Sequence, residues 1–439
     1  MTKTLDLKLA AIHADPSGSK EFIIADAKDA DMAFGIGAPG RSPEAHVGEV
    51  RFRTLAEYRE QIREIVRQGV VDVMLMSAST SDVLTIQERL FEHSHVTPVA
   101  RANDTSDIFV VRGGKYAAEP SRPFRTAAVD HIQCGHLDCE PAERALGANL
   151  GLYSITFNNR LDDDLAAITE YGRFRRECET KGFRHFLEVF DPNAPVGLDA
   201  DLLPKFINDS IARTLAGVAG AGRPLFLKVV YHGPKAMEEL VAYDPHLIVG
   251  ILGGGAGTTY DAFKLIAEAQ KYGARVALFG RKINNAECQL AFVEFLRLIV
   301  DRVIGPEEAV RAYHAVLEKL NIRPNRSLAD DLLLQTGVMS YGGSATVAVP
   351  GNIHQPEAQA RQREVLAGQP KSSANVQQGE AKTPQSDCGC GGPSHETCQC
   401  QSKTAPGPGP LASDQPNFAA MTRAEKLAYN KARRDRIFG

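Results

Sequence analysis

The sequence predicts an α/β protein: a (β/α)8 TIM barrel followed by an irregular C-terminal tail that ends in a short amphipathic helix. Three observations predict it. Eight short apolar runs alternate with helix-period segments over residues 1–350. Glycine-rich turns follow the last two of these runs. Beyond residue 350 the composition shifts to Pro, Gly, Ser and Gln, with few large apolar residues. An open doubly wound sheet is the competing arrangement of the same units.

The expected strands are FIIAD (22–26), VVDVMLMS (70–77), TAAVDHI (126–132), LYSITF (152–157), HFLEVF (185–190), LFLKVV (225–230), LIVGILG (247–253) and RVALFG (275–280). Helical patterns follow most of them, such as DDDLAAITEYGRFRRECETKG and YDAFKLIAEAQKYG, the second closing on a glycine stop. Residues 96–116 read as an extra hairpin between the second and third units. The chain then divides into a barrel (1–350), a flexible linker (351–417) with a cysteine-rich stretch (388–400), and a targeting helix (418–439).

Composition narrows the function. The 439 residues are 43% hydrophobic, enough for a large core, and carry a formal net charge of −4, which argues against nucleic acid as the main partner. No run approaches the 18 or so apolar residues of a membrane span, so no membrane partner is expected. The N-terminal stretch MTKTLDLKLAAIHADPSGSKEF lacks the long apolar core of a secretory signal, and a cytoplasmic protein is expected. Eight cysteines in so long a chain do not read as a secreted disulfide framework.

The charged strand residues carry the chemistry. Lys228 stands in the apolar run LFLKVV, where an amine is costly unless paired, deprotonated or in use. Glu188 sits between Leu187 and Val189 on the expected fifth strand, and Asp26 ends the first. With side chains alternating between lumen and helix layer, these three are expected to converge at the C-terminal mouth of the barrel. GGGAGTT (253–259) follows strand seven and GRK (280–282) follows strand eight. Backbone N–H groups of Gly254, Gly255 and Gly280, with the guanidinium of Arg281, are expected to hold a phosphate. A desolvated lysine beside carboxylates is a nucleophile that attacks a carbonyl, and its protonated Schiff base permits carbon–carbon cleavage. The bland alternative is a structural Lys228–Glu188 salt bridge.

The motifs IIADAKDADMAFG, HFLEVF, LFLKVVYHG, GILGGGAGTT and ALFGRKI resemble the class I aldolases of the tagatose-bisphosphate and archaeal-type fructose-bisphosphate group, over about residues 20–320. The resemblance implies Lys228 as the Schiff-base lysine, Glu188 and Asp26 as its carboxylates, and Gly280 with Arg281 at the phosphate. It implies a phosphorylated sugar as substrate and no cofactor; a homo-oligomer is also expected. Tagatose-type members carry a second lysine on strand four where this chain has LYSITFNN, and Tyr153 is expected to act as the acid there, as a tyrosine does in fructose-type members. Deoxyribose-phosphate aldolase also uses a strand-six lysine, which leaves the substrate class open.

Two cysteine clusters remain. DHIQCGHLDCE places His131, Cys134, His136 and Cys139 at a zinc-like spacing without a second half; metal there points instead to a metal-dependent lyase. DCGCGGPSHETCQCQ holds Cys388, Cys390, Cys398 and Cys400, four thiols suited to zinc, an iron–sulfur cluster or disulfides. The terminal MTRAEKLAYNKARRDRIFG opens with a Thr422–Glu425 capping box, gathers Met421, Ala424, Leu427, Ala428 and Ala432 on one face, and is otherwise basic. It resembles the encapsulation peptides that carry enzymes into bacterial microcompartments, which implies shell proteins as partners and the microcompartment lumen as a destination. A non-catalytic scaffold barrel is the remaining alternative.

Overall fold

The computed structural model describes residues 1–42, 51–255, 257–336 and Thr422. The chain separates into two compact units, Met1–Gln369 and Pro370–Gly439, and the barrel belongs to the first. The cysteines at 388–400 and the linker lie outside the described residues, as does the expected terminal helix apart from Thr422.

Near-continuous Val, Ile and Leu runs form strands β1 (Ile23–Lys28), β2 (Val73–Met76) and β3 (Thr97–Arg101). A small antiparallel ribbon, β4 (Asp104–Thr105) with β5 (Pro123–Phe124), follows. Then come β6 (Leu150–Thr156), β7 (Arg184–Phe190), β8 (Leu227–Val229), β9 (Val249–Leu252) and β10 (Val276–Phe279). Apart from the ribbon, all are parallel and close into an eight-stranded barrel in the order β1-β2-β3-β6-β7-β8-β9-β10. The expected (β/α)8 architecture is therefore the observed one.

The third barrel strand is not the expected one. Residues 126–132 do not form it; Val129–Cys134 is a short helix whose Val129 and Ile132 fall on one buried face. The strand is β3, inside the segment read as a hairpin. Pro98 obscures it, because proline in a central strand normally removes a ladder bond. Here that loss is avoided. Thr97 N–H points to β2, bonding Asp72 O at 2.9 Å, and Ala102 N–H points to β6, bonding Leu152 O at 2.8 Å. By alternation Pro98 faces β6, where pairing starts only at Ala100 with Gly151.

The two faces of each strand serve different cores. Ile23, Ala25, Leu152, Phe186 and Phe226 fill the lumen, with Phe186 and Phe226 stacked at 4.4 Å. The intervening residues, such as Ile24, Tyr153, Leu187 and Val229, pack against the helices. The N-terminal segment forms a helix, Thr4–Ala14, whose Leu5, Leu9 and Ile12 join the lumen cluster and stop the N-terminal end of the barrel. Lys8 pairs with Asp72 at 2.9 Å, and Lys3 Nζ donates to the carbonyls of Phe91, Ser94 and Val96, which ties this plug to the loops beneath the strands.

His185, on the helix-facing side of β7, meets the Tyr171 hydroxyl at 2.8 Å. Burial pushes its imidazole down to about 4. The unfolded chain binds a proton at its ordinary value near 6.5, so stability is complete above that pH and falls as pH drops toward 4. The expected loss from this residue is about 3 kcal/mol. Urea titrations between pH 7 and 4 are expected to show a shallower pH dependence for His185→Gln than for the native chain.

Candidate active site

One row of residues crosses the barrel in register: Ser154 on β6, Glu188 on β7, Lys228 on β8 and Gly250 on β9. Glu188 and Lys228 alternate with the helix-facing Leu187, Val189, Leu227 and Val229, so both enter the lumen. Lys228 Nζ lies 2.5 Å from Glu188 Oε1, and their side chains are only 9% and 2% exposed. Ser154 Oγ donates to Glu188 Oε2 at 2.7 Å and accepts from Arg101 Nη2 at 2.9 Å. Arg101 also pairs with Asp29 at 2.6 Å and stands 3.7 Å from Glu188. Burial opposes the Arg101 charge most strongly, but Asp29 and Glu188 outweigh it and raise its pKa. Asn103 clamps the Ser154 backbone from both sides, accepting its N–H at 2.7 Å and donating to its carbonyl at 2.9 Å. Two buried cations thus face two buried carboxylates, with a hydroxyl spanning the gap, the condition under which buried charge is tolerable.

These side chains open into a pocket at the C-terminal mouth of the barrel. Its wall carries Asp29, Arg101, Glu188 and Lys228; its rim carries Gly253, Gly254, Gly280 and Arg281; Phe34, Ile108 and Phe190 supply apolar surface. Glycine is required at two rim positions. A Cβ at Gly253 would stand 2.2 Å from the Phe279 ring, and one at Gly280 would stand 2.7 Å from the Ala27 carbonyl oxygen. Arg281 lies over the Phe34 ring at 5.7 Å, and Gly255 lies against its guanidinium.

The N–H groups at the start of the helix Thr259–Lys271 and of Gly253 are engaged within the protein. Thr258 N–H is taken by Asp261 at 2.7 Å and Thr259 N–H by Asp331 at 2.8 Å. Gly253 N–H bonds the Leu278 carbonyl. From below, Lys282 Nζ donates to the carbonyls of Gly257 and Thr258 at 2.6 and 3.0 Å, and burial pushes its amine down to about 8.

Of the residues singled out in the sequence, Lys228, Glu188, Gly254, Gly280 and Arg281 line this one pocket. Asp26 and Tyr153 do not join them. Asp26 shares the helix-facing side of β1 with Ile24 and pairs there with Lys28 at 3.1 Å, both fully buried. Burial raises the Asp26 pKa and lowers that of Lys28, each partly offset by the other. Tyr153 faces outward on β6 and stacks on Phe174 at 4.6 Å, with burial pushing its phenol up. Asp29 and Arg101, which line the pocket, and Ser154, which bonds Arg101 and Glu188 behind it, are the residues that sequence reasoning missed. The signal for Arg101 was an arginine in the apolar run VTPVAR, hidden by the hairpin reading.

In the structure the first cysteine cluster takes a different form from the expected ligand set. Cys134 and Cys139 form a disulfide, so neither offers a thiolate. His136 Nδ1 lies 2.8 Å from the Leu137 carbonyl and its Nε2 lies 3.4 Å from Glu143, while His131 is exposed. Although Cys134, His136 and Glu143 lie close together, the bonded sulfur removes a ligand. This loop precedes β6, at the barrel end opposite the pocket, rather than at its mouth.

No family model matches the chain, and no curated protein matches it. Solved structures do. The fructose-bisphosphate aldolase from Slackia heliotrinireducens superposes with a TM-score of 0.51 at 13% identity, covering 71% of this chain and 91% of that one. An archaeal fructose 1,6-bisphosphate aldolase gives 0.47 at 15% identity, covering 67% and 98%. Another, with its catalytic Lys covalently bound to the carbinolamine intermediate, gives 0.47 at 16%, covering 67% and 99%. At these identities the first likeness establishes a shared barrel fold.

Removing one partner of a buried pair leaves an uncompensated charge, at a cost of about 3–5 kcal/mol. Glu188→Leu is expected to lose stability on that scale in urea denaturation, and adding Lys228→Met is expected to recover most of it.

Proposed function

We propose that the protein is a class I aldolase, a carbon–carbon lyase that cleaves a phosphorylated sugar through a Schiff base on Lys228. The observation that carries this reading is the Lys228–Glu188 pair on the wall of a pocket whose rim holds Gly254, Gly280 and Arg281. A structural salt bridge has no need of a solvent-open pocket with a guanidinium at its edge. The likeness to barrels named as fructose-bisphosphate aldolases agrees with it.

In this reading Glu188 takes the Lys228 proton, and the free amine adds to the ketone carbon. The nitrogen's proton passes through Glu188 to the carbonyl oxygen, water leaves, and a protonated iminium remains. Glu188 then removes the proton from the hydroxyl on the carbon beyond the breaking bond. That carbon becomes an aldehyde, and the bonding pair moves toward the iminium to give an enamine. Reprotonation at carbon and hydrolysis restore the amine and release a ketone. Arg101 and Ser154 fix the carboxylate throughout. Asp26 and Tyr153, on the helix side of their strands, take no part.

Borohydride reduction in the presence of dihydroxyacetone phosphate is expected to label Lys228 irreversibly, and Lys228→Met to abolish both label and cleavage. Mass spectrometry finding label elsewhere, or none, sinks the reading. Glu188→Gln is expected to slow cleavage by about 10²–10⁴, the usual contribution of a positioned acid–base group.

We further propose that residues 418–439 dock the enzyme onto microcompartment shell proteins, placing a reactive aldehyde product behind a protein wall. The support is the amphipathic pattern behind a Pro/Gly-rich linker. A fluorescent protein carrying 418–439 is expected to co-purify with assembled shells, and Leu427→Glu in its apolar face to release it. Homo-oligomerisation belongs to the same reading and is checked by light scattering.

A further inference from the structure

The proposed chemistry leaves unused the segment that follows Pro306–Lys319, the last long helix among the described residues. Residues 327–336 fold back as a strap onto the loop between β9 and the helix Thr259–Lys271. Ser327 caps its short helical turn, Leu328–Asp331. Asp331, 5% exposed, accepts Thr259 N–H at 2.8 Å through Oδ1, and its Oδ2 meets His314 Nε2 at 3.0 Å. The Leu333 carbonyl accepts the Thr258 hydroxyl at 2.8 Å. Asp261 accepts the N–H groups of Gln335 and Thr336 and the Thr336 hydroxyl, as well as Thr258 N–H. These donors hold its carboxyl below the usual range despite burial. Lys282 supports the loop from the other side.

The consequence is chemical. A helix N-terminus normally attracts an anion. Here two protein carboxylates already occupy it, so a phosphate is excluded from that end and left to the Gly254, Gly280 and Arg281 rim. Gly257, at φ 79°, has Asp261 so close that any Cβ would stand 2.4 Å from its carboxylate, so this position requires glycine.

We infer that Asp331, on the strap 327–336, is a positioning residue that sets the rim segments Gly253–Gly255 and Gly257–Thr258 for phosphate recognition. The inference rests on the aldolase reading for its substrate. With the strap seated, the rim is formed; with it released, the loop loses its fixed shape and the rim its grip on phosphate.

The test uses the full chain and compares dihydroxyacetone phosphate with dihydroxyacetone in borohydride trapping of Lys228. Asp331→Ala is expected to raise the concentration of dihydroxyacetone phosphate needed for half-maximal labelling by about tenfold, leaving the maximal rate and the dihydroxyacetone reaction unchanged. Asp331→Asn, which keeps an acceptor for Thr259 N–H, is expected to restore part of the loss. Thr336→Val, which removes only the hydroxyl bond to Asp261, moves the same quantity in the same direction and carries the test where Asp331→Ala does not fold. Calorimetric titration with inorganic phosphate is expected to weaken in parallel. Equal effects on both ketones, or unchanged phosphate binding, overturn the inference. Phosphate binding that weakens in Asp331→Ala while neither ketone labels the native chain supports the strap and refutes the aldolase reading.

Discussion

An amine and a carboxylate 2.5 Å apart inside a protein are strongly favourable to each other and expensive to keep there. The barrel is organised to make that arrangement tolerable. Register sets Glu188 beside Lys228 and Ser154 beside Glu188, so the pair needs no loop to assemble it. Arg101 and Asp29 add a second pair, and Ser154 joins the two through its hydroxyl. Rigid strands hold the pair in one geometry more precisely than loops would.

The rim obeys a different constraint, which is space. Gly253 and Gly280 are where Phe279 and the Ala27 carbonyl leave no room for a side chain. The backbone therefore reaches the pocket directly, and Arg281 supplies charge at its edge. The helix behind the loop contributes differently from a free N-terminus, because Asp261 and Asp331 have already neutralised its first donors.

Much of this was legible in the sequence, and the reasons for the remainder are physical. Lys228 and Glu188 stood out because a charge in an apolar run has few explanations, and the glycine turns announced the last two strand ends. Which face a strand residue takes was harder to read. Every residue of β1 and of β6 is buried, so the alternation that normally separates inside from outside is absent. Asp26 is accordingly read as entering the lumen, and Tyr153 as an acid by family resemblance, whereas Asp29 and Ser154 occupy the lumen. Pro98 concealed β3 and with it Arg101. The Cys134–Cys139 bond joins residues five apart across a loop, a proximity that spacing also allows to a metal.

The helical plug at the base of the barrel has a bearing on traffic. Because Leu5, Leu9 and Ile12 fill the lumen at that end, a molecule that reaches Lys228 arrives and departs by the same doorway. Should the proposed cleavage take place in this blind well, the fragment nearer the exit has to go first while the other stays on the lysine. Ordered departure would then follow from the shape of the vessel, with no gate to enforce it.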